Sequence, residues 1–84
     1  MKEYYREINL IELKKQTKAI ISEVPEHPLL PPLGIRKGKE VILKSRQAWR
    51  GPLIIEIEDR QVAIDPEIAA KIKIKEEVAI DAAV

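Results

Sequence analysis

Apolar residues recur at every second position in several short segments of this chain. In residues 53–58, Leu53, Ile55 and Ile57 are apolar, and Glu56 and Glu58 stand among them. A period of two places alternate side chains on opposite faces of a strand, so the pattern predicts half-buried antiparallel strands. By the same reasoning we predict strands over residues 17–24, 39–46, 53–58, 60–65 and 71–75.

Glycines mark where these strands turn. Gly34, Gly38 and Gly51 are the three glycines of the chain, and glycine accepts a positive φ without steric cost. We therefore predict structural turns at these glycines and at Pro52, which follows the last of them. A further turn is expected at residues 59–60, and the spacing of inward residues predicts a bulge at residues 22–23.

A proline segment separates the first two predicted strands. Residues 25–32 contain four prolines, which exclude a regular helix and remove backbone hydrogen-bond donors. An irregular or polyproline-like connector is therefore expected here. Leu29, Leu30 and Leu33 are expected to anchor it to the core.

A helix start follows the fourth predicted strand. Asp65 is a capping residue, Pro66 suits the first helical position, and Glu67 lies in the first turn. We predict an all-β fold, a small SH3-like antiparallel barrel of about five strands over residues 10–75, with a short helical turn before the last strand. Residues 1–9 form an N-terminal leader that adds a short strand or lies over the barrel. Residues 76–84 form a C-terminal tail with little to hold it.

The composition narrows the classes of function. The 84 residues suffice for one small domain, and 15 basic against 14 acidic residues leave a net charge of +1. A dedicated nucleic-acid binder normally carries a strong basic excess, so no nucleic-acid partner is expected. Cysteine is absent and the apolar runs are short. We therefore expect a cytoplasmic protein that is not itself embedded in a membrane.

Candidate metal and catalytic residues are few. His27 is the single histidine, with Glu23 and Glu26 nearby in sequence, whereas ferrous iron favours two histidines and a carboxylate. His27 is thus a weak metal candidate, more readily explained as a solvated side chain, and no cofactor is expected. No nucleophile and base can be assembled around one histidine, so we do not expect an enzyme.

A basic set interleaved with the single tryptophan is the candidate binding surface. Three interpretations stay open for it: single-stranded nucleic acid, an acidic protein surface, or a solvated strand face. Trp49 either anchors an interface or folds back over the thin core. We expect Trp49 and Arg50 to contact a partner, with Arg36 and Lys37 adding charge at the rim. The set comprises Arg36, Lys37, Lys39, Lys44, Arg46 and Arg50.

The order of these motifs resembles one family. Residues 33–41 read LGIxxGxxV, residues 51–57 read GPLxIxI, and residues 68–74 read IAAxIxI. Together they resemble the ferrous iron transport protein A (FeoA) family and the related SH3-like domain at the C-terminus of iron-dependent repressors. The resemblance covers residues 9–75, except that the proline segment stands where the family usually has a short helix.

The resemblance implies a small cytosolic accessory of bacterial ferrous iron uptake without enzymatic activity. Its implied partner is FeoB, a membrane transporter carrying a GTPase domain, which it would regulate as a protein-interaction module. The alternative is a free-standing SH3-like regulatory domain that binds a peptide or nucleic acid. The sequence leaves the oligomeric state open.

Overall fold

The alternating segments form strands of one antiparallel sheet. The computed structural model describes residues 2–47 and 51–80, with side chains described over 5–47 and 51–76. The strands are β1 (Lys2–Asn9), β2 (Lys18–Glu23), β3 (Glu40–Arg46), β4 (Leu53–Ile57), β5 (Arg60–Ile64) and β6 (Lys73–Ile80). A short helix, α1 (Pro66–Ala69), precedes β6, and 3-10 turns span Leu10–Glu12 and Pro31–Leu33.

The sheet has six strands in the order β1-β6-β2-β3-β4-β5, and every neighbouring pair is antiparallel. It curls around a single core into the barrel-like SH3 arrangement. The predicted all-β class is confirmed, as is the short helical turn before the last strand. The sixth strand is β1, which the expected N-terminal leader contributes.

The core is aliphatic and follows the period of two. Along β4, Leu53, Ile55 and Ile57 are buried and the residues between them are half-buried. Branched aliphatic side chains pack well on a pleated surface, which explains how a core without phenylalanine is filled. Over residues 5–47 and 51–76, the buried apolar side chains are Leu10, Leu13, Ala19, Ile21, Leu30, Ile35, Val41, Leu43, Leu53, Ile55, Ile57, Val62, Ile64, Ala69, Ile72 and Ile74.

Two local predictions are confirmed. The pairing of β2 with β6 shifts register between Ile21 and Glu23, which is the expected bulge. Asp65 caps α1, and its carboxylate accepts a hydrogen bond from the Glu67 backbone N–H at 2.8 Å. Both features depend on a few neighbouring residues, so local sequence was enough to find them.

The turn between β4 and β5 begins one residue earlier than expected. Ile57 pairs with Arg60, so the turn consists of Glu58 and Asp59, with φ of 51° and 63°. Two positive φ values match the twist of a tight two-residue hairpin. The prediction of residues 59–60 was wrong by one residue, because Glu58 adopts the left-handed region without being a glycine and Arg60 already pairs in β5.

The ends of the chain pair with each other. β1 pairs with β6 from Lys2–Ile80 to Asn9–Lys73. β6 therefore continues five residues beyond the predicted strand 71–75. Residues 76–80 of the expected tail belong to this strand. A partner strand about 70 residues away in sequence supplies this pairing, which no local pattern reveals. The division into leader, barrel and tail stays a proposal, and residues 81–84 lie outside the described residues.

The proline segment is anchored by two leucines rather than three. Leu30 is buried and Leu33 packs partly buried against the core, but Leu29 is 64% exposed. The turn at residues 28–30 and the following 3-10 turn rotate Leu29 outward. Within the described part of the chain, no helix has the length and apolar character that crossing a membrane requires.

Candidate functional site

The loop between β3 and β4 is the expected partner-binding loop. Trp49 and Arg50 lie outside the described residues, but the residues flanking them are placed. The Gln47 backbone N–H donates to the Pro52 carbonyl at 3.2 Å and closes the base of the loop. Gly51 is half-buried at this base. The loop therefore leaves and rejoins the barrel at one point, at the end of β3.

An apolar groove lies at the base of this loop, where the sequence indicated no cavity. Its volume is about 430 Å³. The apolar part of its lining comes from three elements that are distant in sequence: Ile11 of the first 3-10 turn, Leu53 of β4, and Pro66 and Ala70 at the two ends of α1. We call this the loop groove. Its lining residues are Ile11, Arg46, Gln47, Gly51, Leu53, Pro66, Glu67 and Ala70.

The rim of the loop groove is polar and carries both charges. Arg46 ends β3, and its guanidinium donates to the Leu13 carbonyl. This contact fixes the cation beside the groove. Glu67 lies on the α1 side, where the Asp65 cap fixes the first helical turn. An apolar hollow with a mixed-charge rim suits an apolar side chain from a partner protein rather than a polyanion.

The structure separates the residues that the sequence grouped together. Arg36 and Lys37 are exposed in the turn before β3, while Gln47 and Gly51 bracket the loop at its other end. β3 advances about 3.3 Å per residue, so the two ends are about 20 Å apart. Arg36 instead donates to the Pro31 carbonyl at 3.4 Å. The two positively charged residues thus belong to the proline end of the barrel.

Lysines of the basic set have carboxylate partners. Lys39 Nζ lies 3.4 Å from Glu58 Oε2, and Lys44 Nζ lies 3.4 Å from Glu56 Oε1. Lys44 and Glu56 lie on the neighbouring strands β3 and β4, whereas Lys39 lies just before β3 and Glu58 lies in the β4–β5 turn. This pairing lowers the local excess of positive charge that a nucleic-acid surface requires.

A contact cluster at the proline end escaped sequence reasoning. Arg60 donates to the Pro32 carbonyl at 3.5 Å, and the Glu58 carboxylate lies so close to Gly34 that a side chain there would collide with it. The partners are 24 to 28 residues apart in sequence, and no local spacing signals them. The cluster ties the proline segment to the β4–β5 hairpin.

The His27 side chain forms a hydrogen bond within its own turn. Its Nδ1 accepts a hydrogen bond from the Leu29 backbone N–H at 3.2 Å. Among the described residues, no group of three or more histidine, cysteine, aspartate or glutamate side chains is arranged to hold a metal ion. The nearby hollow of about 530 Å³ is lined by Val24, three prolines and Leu30 together with Glu26 and His27. These two potential ligands are fewer than the three that a ferrous iron site of two histidines and a carboxylate requires.

Comparison with known families decides where this barrel belongs. A sequence model described as the FeoA domain matches residues 8–76, most of the chain. The chain belongs to the FeoA family. No curated protein matches its sequence.

Solved structures share the fold at low sequence identity. An iron uptake regulatory protein (FeoA) is 19% identical with a TM-score of 0.74, covering 87% of this chain and 99% of its own. The FeoA protein from Chlorobium tepidum is 20% identical with a TM-score of 0.75, covering 88% and 73% respectively. The T. acidophilum IdeR is 20% identical with a TM-score of 0.72, covering 83% of this chain but 34% of its own.

These similarities confirm the predicted family and its SH3-like relatives. FeoA membership supports a role in ferrous iron transport. FeoA domains and SH3-like domains of this kind are accessory or regulatory domains rather than catalytic ones. The IdeR similarity covers the part of that longer chain that has the same barrel.

Proposed function

We propose that this FeoA-family protein is an accessory of ferrous iron uptake that binds the cytosolic portion of a FeoB-type transporter and regulates it. Family membership supports the iron-transport setting. The observation that carries the binding step is the loop groove, an apolar hollow beside the loop that contains the single tryptophan. Its occupant in this proposal is an apolar side chain of the transporter.

The geometry supports this proposal in two ways. The groove is built on a rigid barrel from Leu53, which is buried, and from α1, which is capped, so its shape exists before a partner arrives. Tryptophan and arginine are enriched at interface hot spots. We therefore propose that Trp49 and Arg50 contact the same partner beside the groove.

Arg36 and Lys37 have a different part in this proposal. About 20 Å along β3 from the loop, they lie beyond direct reach of a side chain in the groove. Their exposed charges act on the approach of the partner. Neutralising them is expected to slow association and lower its salt dependence, with little effect on dissociation.

The test measures affinity for the purified cytosolic portion of the transporter by calorimetry. Ala70→Glu is expected to weaken binding by about tenfold or more, because it places a charge in an apolar hollow. Ala70 is exposed, so the barrel tolerates the change. Ala63→Glu is the matched control, an exposed alanine on β5 that does not line the groove, and it should bind normally.

The loop itself is tested with Trp49→Ala, which should cost about 2 kcal/mol of binding. If Ala70→Glu and a Trp49→Ala, Arg50→Ala double variant both bind normally while folded, the groove and loop are not the interface. Absence of any binding by the parent protein would overturn the partner itself.

A further inference from the structure

The chain ends form a two-stranded ribbon that extends past the barrel. β6 pairs with β2 only from Glu23–Lys73 to Ala19–Glu76, but with β1 from Asn9–Lys73 to Lys2–Ile80. Among the described strands, residues 77–80 therefore have a neighbour on one side only. The molecule measures 44 × 27 × 22 Å, which fits an arm projecting from a small barrel.

β2 departs because the chain before it bends toward β3. Gln16 has a positive φ of 62°, and its backbone N–H donates to the Leu43 carbonyl at 2.7 Å. Lys18 then pairs with Ile42 of β3. Among the strands that the structure describes, none lies beside residues 77–80 on the side that β2 leaves.

A two-stranded ribbon is marginally stable alone in water, and its open edges are templates for another strand. The ribbon has two such edges, the outer edge of β1 and the edge of β6 over residues 77–80. When two copies of one strand pair antiparallel about a two-fold axis, one residue lies at the axis opposite its own copy. Residues at equal distances before and after that residue then lie opposite each other.

The β1 edge opposes such self-pairing through its charges. A two-fold axis at Tyr4 would place Lys2 opposite Arg6 of the second copy. An axis at Tyr5 would place Glu3 opposite Glu7. Like charges directly opposite each other are destabilising, so β1 protects its own edge.

The β6 edge carries apolar residues at 78–80, and one register favours its pairing with a second copy. An axis at Ala79 pairs Val78 with Ile80 of the second copy, an apolar match. An axis at Val78 would instead place Glu77 opposite Ala79 of the second copy, and it would bring Ile80 to the position beside Glu76 that Ala19 occupies. The register centred on Ala79 is favoured because it pairs apolar residues with each other.

We propose that two copies of this chain associate by antiparallel pairing of β6 with β6 over residues 78–80. The sheet then continues across the two-fold axis as β1-β6-β6-β1. Each ribbon supplies the strand that the other lacks, and the charged β1 edges end the assembly so that it closes as a dimer.

Sedimentation equilibrium of the full chain over a concentration series tests this proposal. The parent should show a monomer–dimer equilibrium. Ala79→Lys should weaken dimerisation by about tenfold, because two lysines meet at the axis. Within its own chain, the new lysine lies at the register position opposite Glu3, so the ribbon gains a favourable pair. The uncharged control Ala79→Thr should dimerise like the parent.

Mixing separates a lost interface from a lost fold. Ala79→Lys and Ala79→Glu should each dimerise weakly alone, yet a mixture should recover dimers, because opposite charges then meet at the axis. A parent that stays monomeric throughout the series would overturn the proposal. So would an Ala79→Lys variant with parental dimerisation. If the parent is monomeric and binds the transporter, but Ala79→Lys does not bind it, the β6 edge pairs with a strand of the transporter instead of a second copy.

Discussion

At Gly34, backbone conformation and packing both act against a side chain. Its φ is +84°, and an added Cβ would collide with the Glu58 carboxylate and lie 3.1 Å from an Arg60 guanidinium nitrogen. Gly38 has a similar φ of +92° but open space around it. The two glycines therefore separate the cost of the backbone conformation from the cost of the collision.

We expect Gly34→Ala to destabilise the protein more than Gly38→Ala. Each substitution carries about 1 kcal/mol for a side chain at positive φ. Gly34→Ala also displaces the Glu58 carboxylate, the flexible end of that side chain, from its ion pair with Lys39, which adds a smaller cost. Urea unfolding of both variants measures the difference. In a Glu58→Ala background the excess cost at Gly34 should shrink. Equal costs for the two glycines would show that the Glu58 approach contributes nothing.

At the scale of elements, one buried charge helps to join the two strands of the ribbon. Glu76 is the buried charged residue among the described side chains, and its carboxylate accepts a hydrogen bond from the Arg6 guanidinium of β1. The Glu76 side chain is 9% exposed and that of Arg6 57% exposed. A carboxylate this buried depends on its partner, because solvent cannot replace the lost hydrogen bond.

Arg6→Gln is expected to lower the free energy of unfolding by about 1–3 kcal/mol. Lys18→Gln is the matched control, because Lys18 and Glu40 form a pair at 3.7 Å in which both side chains are more than half exposed. Such surface pairs contribute about 0–1 kcal/mol. Chemical denaturation compares the two variants. A loss for Arg6→Gln no larger than for Lys18→Gln would show that Glu76 does not need its partner.

At the scale of the whole molecule, the relation to iron is expected to go through a partner rather than through a tight metal site. His27 accepts a hydrogen bond within its own turn, and the described residues bring together no set of three metal-ligating side chains. We therefore expect the isolated protein to bind ferrous iron no more tightly than a loose surface carboxylate site does.

Anaerobic calorimetric titration with ferrous iron should show weak heat or none. The parent is compared with His27→Ala and with His27→Asn, which keeps an acceptor for the Leu29 N–H. A tight stoichiometric site in the parent that both variants lose would contradict this expectation and make His27 a ligand.

Part of the candidate site could be read from the sequence. The connection that carries Trp49 and Arg50 was expected, because strands were predicted over residues 39–46 and 53–58 with turns at Gly51 and Pro52 between them. The groove beside it could not be predicted, since Ile11, Leu53 and Ala70 meet only when the first 3-10 turn packs near α1. Arg36 and Lys37 looked close to the loop in sequence, but an extended strand separates them from it.

The sequence by itself determined the local features of this protein. A period of two specified the strands, a shifted apolar position specified the bulge, and Asp65 with Pro66 specified the start of α1. Each depends on steric and hydrogen-bonding preferences of a few adjacent residues. Tertiary structure alone decided the ribbon of β1 and β6, the Arg6–Glu76 pair 70 residues apart, and the loop groove. These arise from contacts between distant segments, whose free energy exists only once the sheet has closed.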